Sequence, residues 1–475
     1  MLKENKIILF LYLLSHGLIF LILDAIYWDD WTIYNVDKEI IFKNFHETGV
    51  FVPFVSYLHS YILPIGPWFY RLLTLFLFLF ISYLFNKILL TIKFLNKENR
   101  FLIILFFTLL PFNIARVALI DFTYTICLTL FFIAWRYKNV RYISLPLFFI
   151  SFTTNSLPFL YLIVLFHIYY ESYKSLNNKF SWRILFNKID YILLPIIFVA
   201  IKYTYYIPYG NYIDYNNDFS LYNLFSNPIL QFLHSGYFLI NIKSNIFLLL
   251  ILAWTVSKIL PNFNNNYKLP FTKKQVFIFG VFSTILVLFP YWIIGHTPTF
   301  TDWNSRHQLL MPFGMSLIFF SIYYFLNFKK WFLISVITIS ISININFYFD
   351  LFKDWNKQME LASNFEIRSE EYADKILIIK DYTDNALERT FRSYEWEGLL
   401  NLKNNNTIAF DSHVYNEKFI KLISEKFPEY KNNEIKFISI NYKEQERESK
   451  LWKRIINKLN NNIYPKLIIN TLDLE

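Results

Sequence analysis

Long apolar stretches recur along this chain with little to interrupt them, and they restrict its fold more than any other feature. A run of roughly 18–25 apolar residues matches the thickness of a bilayer's hydrocarbon, where a single segment satisfies its own backbone groups only as a helix. About eleven such stretches are readable, near 6–26, 68–90, 101–119, 122–136, 142–155, 157–172, 190–207, 240–258, 275–294, 307–327 and 331–349. Ile229–Ile240 reads either as an interfacial helix or as part of a longer eighth span. Hydrophobic residues make up 55% of the 475 and charged residues 17%, with mean hydropathy +0.32, which excludes a disordered chain, a coiled coil and a small disulfide-rich module. The single cysteine, Cys127, forms no internal disulfide and no metal cluster. The expected fold is a polytopic α-helical membrane protein of about eleven transmembrane helices over 1–349. A small C-terminal α/β extramembrane domain follows over 350–475.

Charge orients this arrangement. Residues 1–349 carry 26 Lys and Arg against 14 Asp and Glu, net +12, whereas residues 350–475 carry 20 against 22, net −2. The basic excess lies between alternate apolar runs: Lys3 and Lys6; Lys93, Lys97 and Arg100; Arg136, Lys138 and Arg141; Lys174 to Lys188; Lys258 to Lys274; Lys329 and Lys330. The remaining connections are sparse in Lys and Arg and together rich in acid, with Asp29, Asp30, Asp37, Glu39 and Glu47 in the first. Cytoplasmic loops hold Lys and Arg, so the N-terminus is expected inside and the C-terminal region outside. A bacterial inner membrane is the expected location. No basic stripe interleaved with aromatics marks a nucleic-acid surface. The first apolar run ends at Leu23-Asp24-Ala25-Ile26-Tyr27, which is no small-residue cleavage site, so it reads as an uncleaved helix.

Beyond 350 the apolar runs stop. Strands are expected at Lys375–Lys380, Thr407–Phe410, Glu434–Ile440 and Lys466–Ile469, with helices over Asn385–Leu402, Asn416–Phe427 and Glu444–Leu459. Alternating strands and helices predict a mostly parallel sheet, and no Gly-rich loop suggests a nucleotide.

The chemistry concentrates in two external segments. The first is Tyr27-Trp28-Asp29-Asp30-Trp31-Thr32. Aromatic rings favour the headgroup boundary, but adjacent carboxylates there carry a desolvation and repulsion cost. A positioned carboxylate takes a proton from a hydroxyl, and a pair offers oxygen ligands to Mg or Mn. The plain alternative is a solvated loop start. After it, Thr32–Thr48 reads as an amphipathic interfacial helix with Ile33, Val36, Ile40, Ile41 and Phe45 on one side. Phe51–Pro67 is apolar but broken by Pro53, Pro64, Gly66 and Pro67. The second segment is Gly295–Gln308, which contains Asp302, Arg306 and His307. Arg offers a bidentate donor fork to phosphate, and His307 adds a hydrogen bond or a proton. The alternative is a helix end anchored to headgroups. Arg116 and Asp121 bracket another external turn, as an ion pair or, for Asp121, as a sugar contact. Lys202 either reaches phosphate or snorkels to the interface. His46, His59 and His296 show no metal-ligand spacing and read as interfacial histidines.

A long first helix, an external acidic pair, an interfacial helix, about eleven spans and an external C-terminal domain together resemble the GT-C class of membrane glycosyltransferases. The resemblance covers the topology, and its only motif is Asp29-Asp30 in this setting. It implies a polyprenyl-phosphate-linked sugar donor, a glycan, lipid or protein acceptor in the bacterial envelope, and a catalytic or metal-associated role for Asp29 or Asp30. It also implies basic residues, here Arg306 with His307 and Lys202, on the departing lipid phosphate. A polymerase of lipid-linked glycans and a flippase or transporter are the competing expectations. The polymerase calls for Arg-rich opposed loops, and the transporter for mid-span charges and repeats.

Overall fold

The computed structural model describes residues 2–34, 36–50, 54–92, 95–175, 186–213, 220–240, 245–261, 273–300, 303–372, 375–383, 391–400, 408–412, 435–442, 460 and 466–472. The chain folds as two compact units, each assembled from segments far apart in sequence. The first holds Met1–Ile19, Lys38–Val117 and Asp121–Phe347; the second holds Phe20–Asp37, Ala118–Ile120 and Tyr348–Glu475. The turn that carries Asp29 and Asp30 thus belongs to the same unit as the C-terminal segment.

The described helices are α1 (Leu2–His16), α2 (Lys38–Glu47), α3 (Phe54–Ile62), α4 (Pro67–Leu89), α5 (Lys97–Leu109), α6 (Phe122–Arg136), α7 (Arg141–Ser151), α8 (Leu157–Ser175), α9 (Ile189–Tyr205), α10 (Leu221–Ile240), α11 (Ile246–Ile259), α12 (Lys273–Trp292), α13 (Met311–Phe325), α14 (Lys329–Ile367), α15 (Ser369–Tyr372) and α16 (Ser393–Leu400). Among the described residues, four stretches are long and apolar enough to cross a membrane: Glu4–Ile22, Pro67–Leu89, Lys273–Trp292 and Lys329–Ile367. The first comprises α1 and a 3-10 continuation, Gly17–Ile22. Where eleven full-length runs are expected, several helices are shorter, among them α6, α7, α11 and α13. The causes are local. The third apolar run stops as a helix at Leu109, two residues before Pro111, and re-forms as a 3-10 turn, Ile114–Val117. The tenth run begins with another 3-10 turn, Trp303–Gln308. The last run overshoots its expected end, because α14 continues for 39 residues through the boundary placed at 349.

In the first unit α12 packs on α13, α4 on α6, and α5 on α13. The α12–α13 crossing depends on two glycines. A Cβ on Gly314 would overlap the Thr284 hydroxyl and stand 2.7 Å from the Gly280 carbonyl oxygen. One on Gly280 would stand 3.0 Å from the Gly314 carbonyl oxygen. Small residues let backbones approach where apolar burial alone does not drive association. Several polar groups inside the unit are paired across helices. The Tyr12 hydroxyl donates to the Leu75 carbonyl at 2.8 Å, and the Asn344 amide donates to Ser15 Oγ at 2.8 Å and to the Leu109 carbonyl at 3.2 Å. The helix expected over Thr32–Thr48 spans only Lys38–Glu47, and Ile40 is exposed while Ile41 and Phe45 are buried.

In the second unit β1 (Ile376–Asp381), β2 (Ile408–Asp411), β3 (Ile435–Tyr442) and β4 (Leu467–Leu472) form one sheet in the order β2-β1-β3-β4. β1 runs parallel to β2 and β3, while β4 is antiparallel to β3, so the sheet is mixed. All four expected strands form, with ends shifted by one to three residues. Of the expected helices, α16 occupies the middle of 385–402; those over 416–427 and 444–459 lie outside the described residues. Lys357 of α14 pairs with Asp381 at the end of β1 at 2.6 Å, nearly sealed from solvent.

Gly314→Ala is expected to destabilise the first unit by roughly 1–3 kcal/mol, since backbone must move to admit the methyl group. Thermal unfolding in detergent checks it, and an unchanged midpoint would mean that the helices do not cross at these glycines.

Candidate functional site

The acidic pair sits on a tight turn. Tyr27 is extended, Trp28 takes the left-handed region with φ 51°, and a 3-10 turn runs over Trp28–Thr32. A left-handed backbone at a bulky residue is strained and persists only when its surroundings hold it. Asp30 provides that hold. It is fully buried, its Oδ2 accepts from the Tyr27 N–H at 3.3 Å, and its Oδ1 accepts from the Ile120 N–H at 3.1 Å. The Tyr27 hydroxyl adds a bond to the Leu351 carbonyl at 2.8 Å. The Thr32 hydroxyl closes the turn on the Asp29 carbonyl at 2.6 Å.

Asp29 points elsewhere. Its side chain is 27% exposed. Its Oδ1 accepts the Tyr394 hydroxyl and lies 3.9 Å from Nη1 of Arg392. Both partners come from the start of α16, which packs so closely on this turn that a Cβ on Gly398 would stand 2.7 Å from Cδ2 of Trp31. Burial, and then the Asp29 charge, push the Tyr394 phenol above its ordinary range, so it stays a proton donor at neutral pH. One turn on, burial raises the Glu397 carboxyl to about 7. Both Asp30 oxygens accept backbone N–H groups, and a guanidinium already stands beside Asp29. Among the described residues no group of three or more His, Cys, Asp or Glu gathers to hold a metal.

The second cluster lies in the first unit, where Ser305 Oγ accepts the Ala115 N–H at 2.7 Å and ties two 3-10 turns together. The Arg306 guanidinium stacks over Trp303 at 4.2 Å, and its Nε donates to His307 Nε2 at 3.3 Å. His307 is 6% exposed and lies between the rings of Tyr291 at 4.5 Å and His296 at 4.9 Å. Burial, and then the charges of Arg306 and His296, hold its imidazole well below the ordinary range, so the ring is neutral. With Nε2 accepting, the proton is on Nδ1, and that buried N–H has no acceptor among the described residues. Gln308, fully buried, likewise has no partner there for either side-chain heteroatom.

Other sequence candidates fall as follows. Asp121 is buried, and its charge and that of Arg306 both reach Tyr291. The Tyr291 hydroxyl donates to Ser156 Oγ at 3.0 Å, and the neighbouring Asn155 accepts from Lys202 Nζ at 2.5 Å. Tyr291 therefore touches both the His307 ring and Ser156. Arg116 does not pair with Asp121; its Nη2 meets the buried His16 ring at 2.5 Å, and its guanidinium lies over Phe78 at 4.7 Å. Asp302 lies outside the described residues. His59 lies inside the first unit. It is fully buried between the Tyr70 and Thr123 hydroxyls at 3.1 and 3.2 Å, and burial lowers it to about 3. Sequence reading passed over Arg392, Tyr394 and Glu397, which no motif marks. It also passed over Arg71, a fully buried arginine one turn into α4, although a cation inside an apolar run is itself a signal.

No family model, no curated protein and no solved structure matches this chain.

Asp30→Ala is expected to cost roughly 2–4 kcal/mol, because two backbone N–H groups lose a charged acceptor. Glu397 gives a pH signature. Its folded value of about 7 exceeds the ordinary 4.5, so between those values the folded chain keeps a proton that the unfolded chain has lost. Stability then falls as pH rises through that window. Glu397→Gln is expected to exceed the parent by roughly 1–3 kcal/mol above pH 7, discounted for partial exposure, with the gap closing in acid. Melting curves from pH 4 to 8 read both variants.

Proposed function

We propose that the chain is a membrane glycosyltransferase of the GT-C class that moves a sugar from a polyprenyl-phosphate donor to an envelope glycan, lipid or protein. The observation that carries this reading is the buried His307 N–H beside Arg306. A neutral donor with no acceptor among the described residues, next to a guanidinium, suits an anionic oxygen and is costly to leave unmet. It lies in the segment joining α12, one of the stretches long enough to cross a membrane, to α13, which suits a phosphate carried on a lipid.

Arg306 and His307 hold the donor phosphate, with Lys202 as a further cation. Asp29, a partly exposed carboxylate in the other unit, is suited by its chemistry to accept the proton of an acceptor hydroxyl. The hydroxyl oxygen bonds to the anomeric carbon as the bond from that carbon to the phosphate oxygen breaks. The electron pair leaves with the polyprenyl phosphate, and a single displacement inverts the centre. Asp30 builds the turn and takes no part in the transfer. The alternation of basic and acidic connections supports eleven crossings in a bacterial inner membrane, with the N-terminus cytoplasmic and 350–475 external.

The test is release of polyprenyl phosphate by the protein in lipid nanodiscs, supplied with polyprenyl-phosphate-linked glucose, galactose, mannose and arabinose. The wild type is expected to turn over at least one donor. Asp29→Asn is expected to slow it by about 10²–10⁴-fold, the usual worth of a positioned base. His307→Phe is expected to keep the melting temperature while raising the donor KM. No turnover by the wild type, or an undiminished rate in Asp29→Asn, would overturn the assignment.

A further inference from the structure

The contact between Asp29 and α16 is one of several that hold these two elements. α16 has other anchors. Trp396 is fully buried and packs against Phe391 at 4.9 Å, Leu399 is buried, and Glu395 Oε2 caps the helix by accepting the Arg392 N–H at 2.8 Å. The turn has other anchors as well, through Asp30, Tyr27 and Thr32. What the Tyr394 hydroxyl and the Arg392 guanidinium act on is the orientation of one carboxylate. A hydrogen bond and a positive charge on one carboxylate oxygen restrict rotation about the two side-chain bonds of an aspartate. A base that must meet a hydroxyl proton gains most from having that freedom removed beforehand.

We propose that Tyr394 and Arg392 are positioning residues that lock the Asp29 carboxylate for proton transfer, which makes the start of α16 part of the catalytic apparatus. This rests on the transferase reading above. Tyr394 donates a directional hydrogen bond to Oδ1. Arg392, 63% exposed, adds a charge on the same oxygen and keeps the group oriented as an acceptor. Neither residue touches substrate. Their loss therefore lowers the rate of the chemical step and leaves donor binding alone.

Two measurements test this, one of them independent of turnover. With 3-fluorotyrosine at position 394, the 19F resonance is titrated in the full-length protein with and without Asp29→Asn. The asparagine is expected to move the titration to lower pH, because the aspartate charge and hydrogen bond hold the phenol's proton on. In the donor assay, Tyr394→Phe is expected to lower kcat roughly tenfold to a hundredfold with KM for the donor and the melting temperature unchanged. Arg392→Lys is expected to retain most of the rate that Arg392→Gln loses. If the fluorine titration ignores Asp29→Asn, or if Tyr394→Phe turns over like a wild type that is itself active, the positioning role is overturned and the transferase reading stands. If the wild type turns over no donor while the fluorine still responds, the transferase reading falls, the proposal falls with it, and the pair is a strut.

Discussion

A carboxylate without water around it must find donors, and Asp30 finds two backbone N–H groups, from Tyr27 and Ile120. The rest of the acidic turn follows from that constraint. A buried, doubly satisfied carboxylate is worth enough to hold Trp28 in a left-handed conformation that a bulky residue resists. Once Trp28 is held there, the chain reverses within a few residues. The next side chain, Asp29, is turned away from the interior toward α16. Adjacent carboxylates so come to hold different positions without opposing one another at close range.

The first unit meets the same problem with different means. Its helices are apolar, so each polar group inside them must be paired within the protein. Asn344, Tyr12 and His59 are each paired. The His307 Nδ1–H and the Gln308 amide, like several other buried polar atoms, have no partner among the described residues. They are adjacent, buried and close to an arginine. A buried polar group without a partner is costly for stability, and that cost is usual where a ligand completes the bonding.

Much of the architecture was legible because it rests on periodicity and length. The Ile-rich run Ile376–Ile379 can only be a buried strand, and its four residues are all buried in β1. The apolar runs read as helices and form as helices. Their ends were less legible. Pro111 and the 3-10 turns at Ile114–Val117 and Trp303–Gln308 shorten what hydropathy alone extends, and α14 keeps helical geometry well past the point where its composition turns polar. Hydropathy reports burial preference, whereas helix continuity depends on local propensity, and the two part company near 349. Of the site, Asp29, Asp30, Arg306 and His307 were legible as residue types in unusual company. Arg392 and Tyr394 were not, since they meet Asp29 from the far end of the chain, with |i−j| of 365 for the tyrosine.

The sequence by itself determined that helices dominate, that several are long and apolar enough for a bilayer, that a small strand-bearing segment follows, and that charge and aromatics crowd two connections. These are properties of neighbouring residues and survive any particular packing. Tertiary structure alone decided which aspartate is buried and which is presented, that His307 is neutral with its proton on the unmet nitrogen, that Arg116 turns to His16, and that a C-terminal helix grips Asp29. The physical reason is the same in each case. Protonation, orientation and satisfaction depend on the local dielectric and on donors and acceptors brought from distant parts of the chain, and no window of sequence contains them.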